Sequence, residues 1–134
     1  MTGGRLTLRL PATMQAPSGA RRALADLLGR GVDPDTVRES ELLVTELVTN
    51  AIRHGRLSPD DMVVLEIGVR GSTLRVEVAD GGPGFDPANA LHRDPESTGG
   101  WGLLLVSRMA QRWGVIRGTP NVAWFEIDGV FGPG

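Results

Sequence analysis

Two segments that alternate apolar and polar residues, MVVLEIGVR at 62–70 and TLRVEVAD at 73–80, meet across Gly71 and Ser72, and this hairpin constrains the fold more than any other stretch. Successive side chains of a strand point to opposite faces, so Val63, Leu65, Ile67 and Val69 share one side. Leu74, Val76 and Val78 take the matching side of the returning strand. The Gly-Ser pair suits a two-residue turn. A hairpin apolar on one side only needs a second layer to cover that side.

The rest of the chain offers that layer. RLTLRL at 5–10 alternates Leu6, Leu8 and Leu10 with polar residues and predicts another strand. Pro11 and Pro17 break the pattern after it, and SGARRALADLLGRG predicts a short helix from about Ser18 to Gly29 or Gly31. Asp33 is a fitting N-cap, with Pro34 at the first helical position of a helix reaching His54 and stopped by Gly55. Its buried stripe is expected to be Val37, Val44, Leu47, Val48 and Ala51. GGWGLLLVSRMAQRWG at 99–114 predicts a third helix, and VIRG and VAWFEI a closing pair of strands. Trp113, at the end of that helix, and Trp124, in the last strand, are expected in the core. The order predicts an α+β fold, a two-layer sandwich with a mostly antiparallel sheet and three helices on one face, in a single domain over 1–134.

Composition excludes several chemistries. The chain has no cysteine, which removes disulfides, thiolate metal sites and cysteine nucleophiles. All 14 basic residues are arginine, so a lysine-dependent phosphate loop and Schiff-base chemistry are also excluded. A net charge of −2 makes no electrostatic case for direct nucleic-acid or membrane binding. No apolar run is long enough to span a bilayer, and the N-terminal residues lack the apolar centre of a secretory signal. The expected class is a soluble cytoplasmic protein.

Three constellations could carry chemistry. Glu46 and Asn50 lie one helical turn apart, with Arg53 within about 60° of them, on the side expected to meet water. Such a pair is ordinarily a solvated face; its functional reading makes the Asn50 amide oxygen a magnesium ligand and Glu46 the group that activates a nucleophile. The second is Asp80-Gly81-Gly82-Pro83-Gly84, a turn leaving a strand. A carboxylate there can accept a hydrogen bond from an exocyclic amine, selecting adenine over guanine, and Gly82 and Gly84 allow close approach of a ligand. The third is Thr98-Gly99-Gly100-Trp101-Gly102-Leu103, a glycine-rich helix start that presents free N–H groups to phosphates.

In this order, the three motifs resemble those of the GHKL, or Bergerat-fold, ATPases: ELVTNAIRHG at 46–55, DGGPGF at 80–85 and TGGWGLLLV at 98–106. The likeness spans about residues 37–127. Within that superfamily the wording TNAIRHG and DGGPGFDP is similar to stand-alone anti-sigma-factor serine/threonine kinases. The resemblance implies ATP and Mg²⁺ as cofactors, with Asn50 on the metal, Glu46 as catalytic carboxylate and Asp80 on the adenine amino group. Gly82 and Gly84 would shape the pocket, and residues 85–98 would form a lid. Thr98, Gly99, Gly100, Trp101 and Gly102 would line the phosphates, with Leu103 beginning the supporting helix. Arg53, His92 and Arg93 remain open as phosphate-clamping groups; for His92 a solvated loop position is the favoured reading. The implied activity is phosphorylation of an anti-anti-sigma (STAS-type) partner together with sequestration of a sigma factor. The alternative is a nucleotide-gated binding module without transfer. A homodimer is implied by the same likeness, with the first strand as a plausible edge.

Overall fold

The computed structural model describes residues 3–54, 57–80, 105–116 and 121–131. Five strands, β1 (Gly3–Pro11), β2 (Met62–Arg70), β3 (Thr73–Asp80), β4 (Arg112–Ile116) and β5 (Asn121–Ile127), form one sheet in the order β1-β2-β3-β5-β4. Every neighbouring pair is antiparallel. Helices α1 (Ala16–Leu28) and α2 (Pro34–His54), with a helical segment over 105–109, supply the second layer. This is the α+β sandwich expected from the pattern of elements.

The hairpin closes as its sequence requires. Gly71 takes φ +60°, a region that a side chain disfavours, and Val69 stands opposite Leu74 across the turn. The alternation then runs without a slip: Val63, Leu65, Ile67, Leu74, Val76 and Val78 are all fully buried against the helices. Asp33 caps α2, accepting a hydrogen bond from the Thr36 N–H at 3.3 Å. Gly19 lets α1 approach β1, since a Cβ there would stand 3.2 Å from Leu10 Cδ2.

Three expectations are corrected. α1 begins at Ala16 rather than near Ser18, because Pro17 sits in the first turn, where its missing N–H costs no helical bond. The third helix does not reach Trp113. Ala110 N–H closes the last turn on Val106 O at 2.9 Å, and Gln111 N–H already donates to Glu126 O at 2.9 Å, so the chain has joined the sheet. Trp113 therefore lies in β4, half-buried against the core. Trp124 is not in the core: its indole lies on the opposite, open face of β5, with the Arg75 guanidinium 4.2 Å from the ring centroid. Gly114 makes room for it, since a Cβ there would meet Trp124 Nε1 at 2.9 Å.

Among the described residues, no helix is long and apolar enough to cross a membrane.

Candidate functional site

α2 carries two of the expected residues. Glu46 is half-buried and Asn50, one turn later, is only 2% exposed. The expectation that this pair faces water away from the apolar stripe is therefore wrong for Asn50. The buried arc of α2 includes Leu43 as well as Val44, Leu47, Val48 and Ala51. Leu43 and Asn50 are seven residues apart, which places them within ~20° around the helix, so Asn50 stands at the margin of the buried arc. Arg53 remains exposed.

Burial takes the Asn50 amide away from water. Its Nδ2 is a buried side-chain atom with no hydrogen-bond partner among the described residues. Buried amides in folded proteins are nearly always satisfied, so an unsatisfied one calls for a cause. Rotating the amide by half a turn exchanges its nitrogen and oxygen at little cost, so that position can present either a donor or an acceptor. The residue fits a role in which a ligand supplies the missing partner.

Asp80 closes β3 at 3% exposure, on the helix-facing side with Val76 and Val78. Its register neighbours are Val63 at the start of β2 and Asn121 at the start of β5. Asn121, 6% exposed, was not singled out in the sequence, where it follows Pro120 with no motif around it. The signal available was its position as the first residue of an alternating strand whose other inward members are Ala123, Phe125 and Ile127. α2 packs on β2, β3 and β5, and the chain passes from its C-terminal end to Met62, beside the end of β3. Asn50, Asp80 and Asn121 are thus buried polar residues of a largely apolar sandwich, as is Ser40, whose hydroxyl bonds back to Thr36 O at 2.8 Å. Gly55, Gly82, Gly84, Thr98, Gly99, Gly100, Trp101, Gly102 and Leu103 lie outside the described residues, as do His92, Arg93 and the lid at 85–98.

A concavity of about 730 Å³ lies elsewhere, on the open face, lined among others by Arg5, Glu66, Gly68, Arg75, Glu77 and Glu126. Its charges largely answer one another. Arg75 donates to Glu77 at 2.8 Å and to Glu126 at 3.0 Å, and Arg5 to Glu66 at 3.0 Å. Burial works against the Arg75 charge, but the bonds to Glu77 and Glu126 outweigh it and raise its pKa. The charges of this concavity are met, whereas unmet hydrogen bonding favours the helix side. We take the helix side as the candidate site because a ligand there would satisfy a group that the fold leaves waiting. Among the described residues no group of three histidines or carboxylates could hold a metal ion.

The likeness to known proteins bears on the family and the fold. Residues 10–125 match the histidine kinase-like ATPase domain. The serine-protein kinase RsbW of Staphylococcus epidermidis is 28% identical over 117 residues, covering 78% of this chain and 74% of that one. The same relative from two named strains of that species matches equally. The crystal structure of the RsbU and RsbW domains of Rv1364c from Mycobacterium tuberculosis superposes with a TM-score of 0.72 at 21% identity, which bears on the fold. That match covers 93% of this chain but 32% of the solved one, so the present chain spans about a third of the solved chain. With the domain match running from the end of β1 through α1, α2, β2, β3 and β4 and into β5, the chain belongs to the histidine kinase-like ATPase (GHKL) family.

Proposed function

We propose that this protein is an ATP-dependent serine/threonine kinase of the anti-sigma type, which phosphorylates an anti-anti-sigma protein of the STAS type and sequesters a sigma factor. The observation that carries the reading is the buried amide of Asn50, whose Nδ2 has no partner among the described residues, one turn from half-buried Glu46. The name of the RsbW relative, a serine-protein kinase, supports the reaction class.

Each residue has a defined task. Asp80 accepts a hydrogen bond from the exocyclic amine of adenine. Gly82 and Gly84 leave room for the base, and the segment Thr98, Gly99, Gly100, Trp101, Gly102 and Leu103 offers backbone N–H groups to the phosphates. Asn50 would hold Mg²⁺ through its amide oxygen, and the ion, when bound, would supply charge neutralisation at the nucleotide phosphates. Glu46 accepts the proton of the partner's hydroxyl as that oxygen bonds to the γ-phosphorus and the bond to the β-phosphate oxygen breaks. The products are a phosphorylated partner and ADP. Positioning and charge stabilisation carry most of such a reaction, which explains how it proceeds without a lysine.

Transfer of labelled γ-phosphate to candidate anti-anti-sigma proteins encoded in the same genome tests this directly. The expected product is a partner labelled on serine or threonine. Nucleotide-dependent capture of a partner with no transfer would replace the kinase with a nucleotide-gated binding module.

A further inference from the structure

β1 is an edge of the sheet. It runs nine residues, Gly3–Pro11, in one unbroken antiparallel register with β2. A long edge strand offers its outward N–H and C=O groups to any extended chain, and proteins usually blunt such edges with bulges, prolines, charged side chains or short length. β1 has no bulge and, before Pro11, no proline, and its charges are the exposed arginines Arg5 and Arg9.

Its two faces specify what would fit there. On the helix side, Leu6, Leu8 and Leu10 are half-buried, whereas their cross-strand partners Ile67, Leu65 and Val63 are fully buried. The difference within each pair is apolar surface that a further strand would cover. On the open side, Arg5, Thr7 and Arg9 follow in alternation, all exposed. Arg5 keeps 75% of its side chain in solvent even while it pairs with Glu66. Arg9 stands opposite Val64, and exposed Arg70 opposite Gly3. Of the three arginines at this margin, Arg5 pairs with Glu66, and Arg9 and Arg70 add like charge on a chain whose net charge is −2.

We propose that β1 is a docking edge for an extended segment of a partner protein in which apolar and acidic residues alternate. The segment adds as an outer strand, its apolar side chains beside Leu6 and Leu8 and its carboxylates beside Arg5 and Arg9. A second copy of this chain suits the edge less well. Antiparallel pairing centred on Thr7 would set Arg5 of one copy opposite Arg9 of the other on the same face, and like charges so placed repel. The inference is independent of the nucleotide site.

The probe is a fluorescein-labelled octapeptide alternating valine and glutamate, with its valine–lysine counterpart as control. Fluorescence anisotropy should show saturable binding of the acidic peptide with a preference of roughly tenfold, as two cross-strand charge pairs would give. Arg9→Glu, an exposed change outside the nucleotide site, should cancel or reverse that preference while leaving ATP binding unchanged. Hydrogen exchange of the β1 amides should slow when the acidic peptide binds. Equal binding of the two peptides, or slowed exchange confined to other strands, would overturn the proposal. So would a self-associated species in which the β1 amides are already protected and neither peptide binds.

Discussion

The two faces of the sheet both carry polar side chains, under opposite conditions. On the open face Glu77, Arg75, Glu126, Arg112 and Asp128 form a chain of ion pairs across β3, β5 and β4. Hydrogen bonds to Asp128 and Glu126 raise the Arg112 pKa, and Arg112 in turn holds both carboxyls below their usual range. Arg75 adds to the effect on Glu126, and Thr73 to that on Asp128. Each charge is answered by a neighbour and most are wetted. On the covered face Asn50, Asp80 and Asn121 sit against the apolar interior, and the Asn50 amide nitrogen has no partner among the described residues. Leaving such a group unsatisfied costs about 1–3 kcal/mol, a cost the open face avoids. Charges on the open face answer one another, whereas the buried Asn50 nitrogen is left without a partner among the described residues, as our proposal of a ligand site there requires.

That contrast can be broken from either side. Glu46→Ala should have the largest effect, lowering phosphoryl transfer by about 10²–10⁴-fold while nucleotide affinity changes little, because a base acts only as the proton leaves. Transfer at the parental rate would remove Glu46 from catalysis. Asn50→Ala should weaken Mg²⁺-dependent ATP binding roughly a hundredfold, as loss of a buried partner of about 2–3 kcal/mol would. The same change should cost the free protein about 1 kcal/mol or less, since it deletes an unsatisfied group along with some packing. Calorimetric titration and urea unfolding measure the two halves. Normal affinity with impaired folding would make Asn50 a structural residue instead.

Asp80→Asn should have a smaller effect, about tenfold on ATP, because an amide can still turn its oxygen toward the base. The parent should discriminate against GTP, which presents a carbonyl where adenine presents an amine, and the variant should discriminate less. Equal parental affinity for the two nucleotides would sink the adenine assignment.

The smallest effect belongs to the open face. Glu126→Gln should cost at most about 1 kcal/mol at neutral pH, after allowance for solvent screening. Because the Glu126 pKa is lowered in the folded protein, its contribution is complete above the usual carboxylate range and fades as pH falls through the lowered value. Parent and variant should therefore converge in acid. A stability difference of the same size at both pH values would mean that the carboxylate charge is not its source.

The hairpin, the α2 cap and the alternation of the strands were legible because each depends on residues close together in the chain. Asp33 reaches an N–H three residues on, and Gly71 needs only its own backbone freedom. Trp113 and Trp124 were misplaced for a complementary reason. Helix and strand compete over RMAQRWG, and the bond from Gln111 to Glu126, distant in sequence, decides between them. The indole of Trp124 faces away from the core because its strand begins its inward alternation at Asn121, and Arg75 on the neighbouring strand receives it.

By itself, the sequence determined the layer architecture, the family likeness and the identity of the polar residues in the motifs, because period, turn chemistry and motif order are properties of a chain read in one dimension. Only the tertiary structure decided that Asn50 is buried and that Asn121 stands opposite Asp80. Burial depends on what packs across from a residue: an angle of ~20° on a helical wheel separates Asn50 from Leu43. No local pattern records whether the sheet lies over that margin or water does.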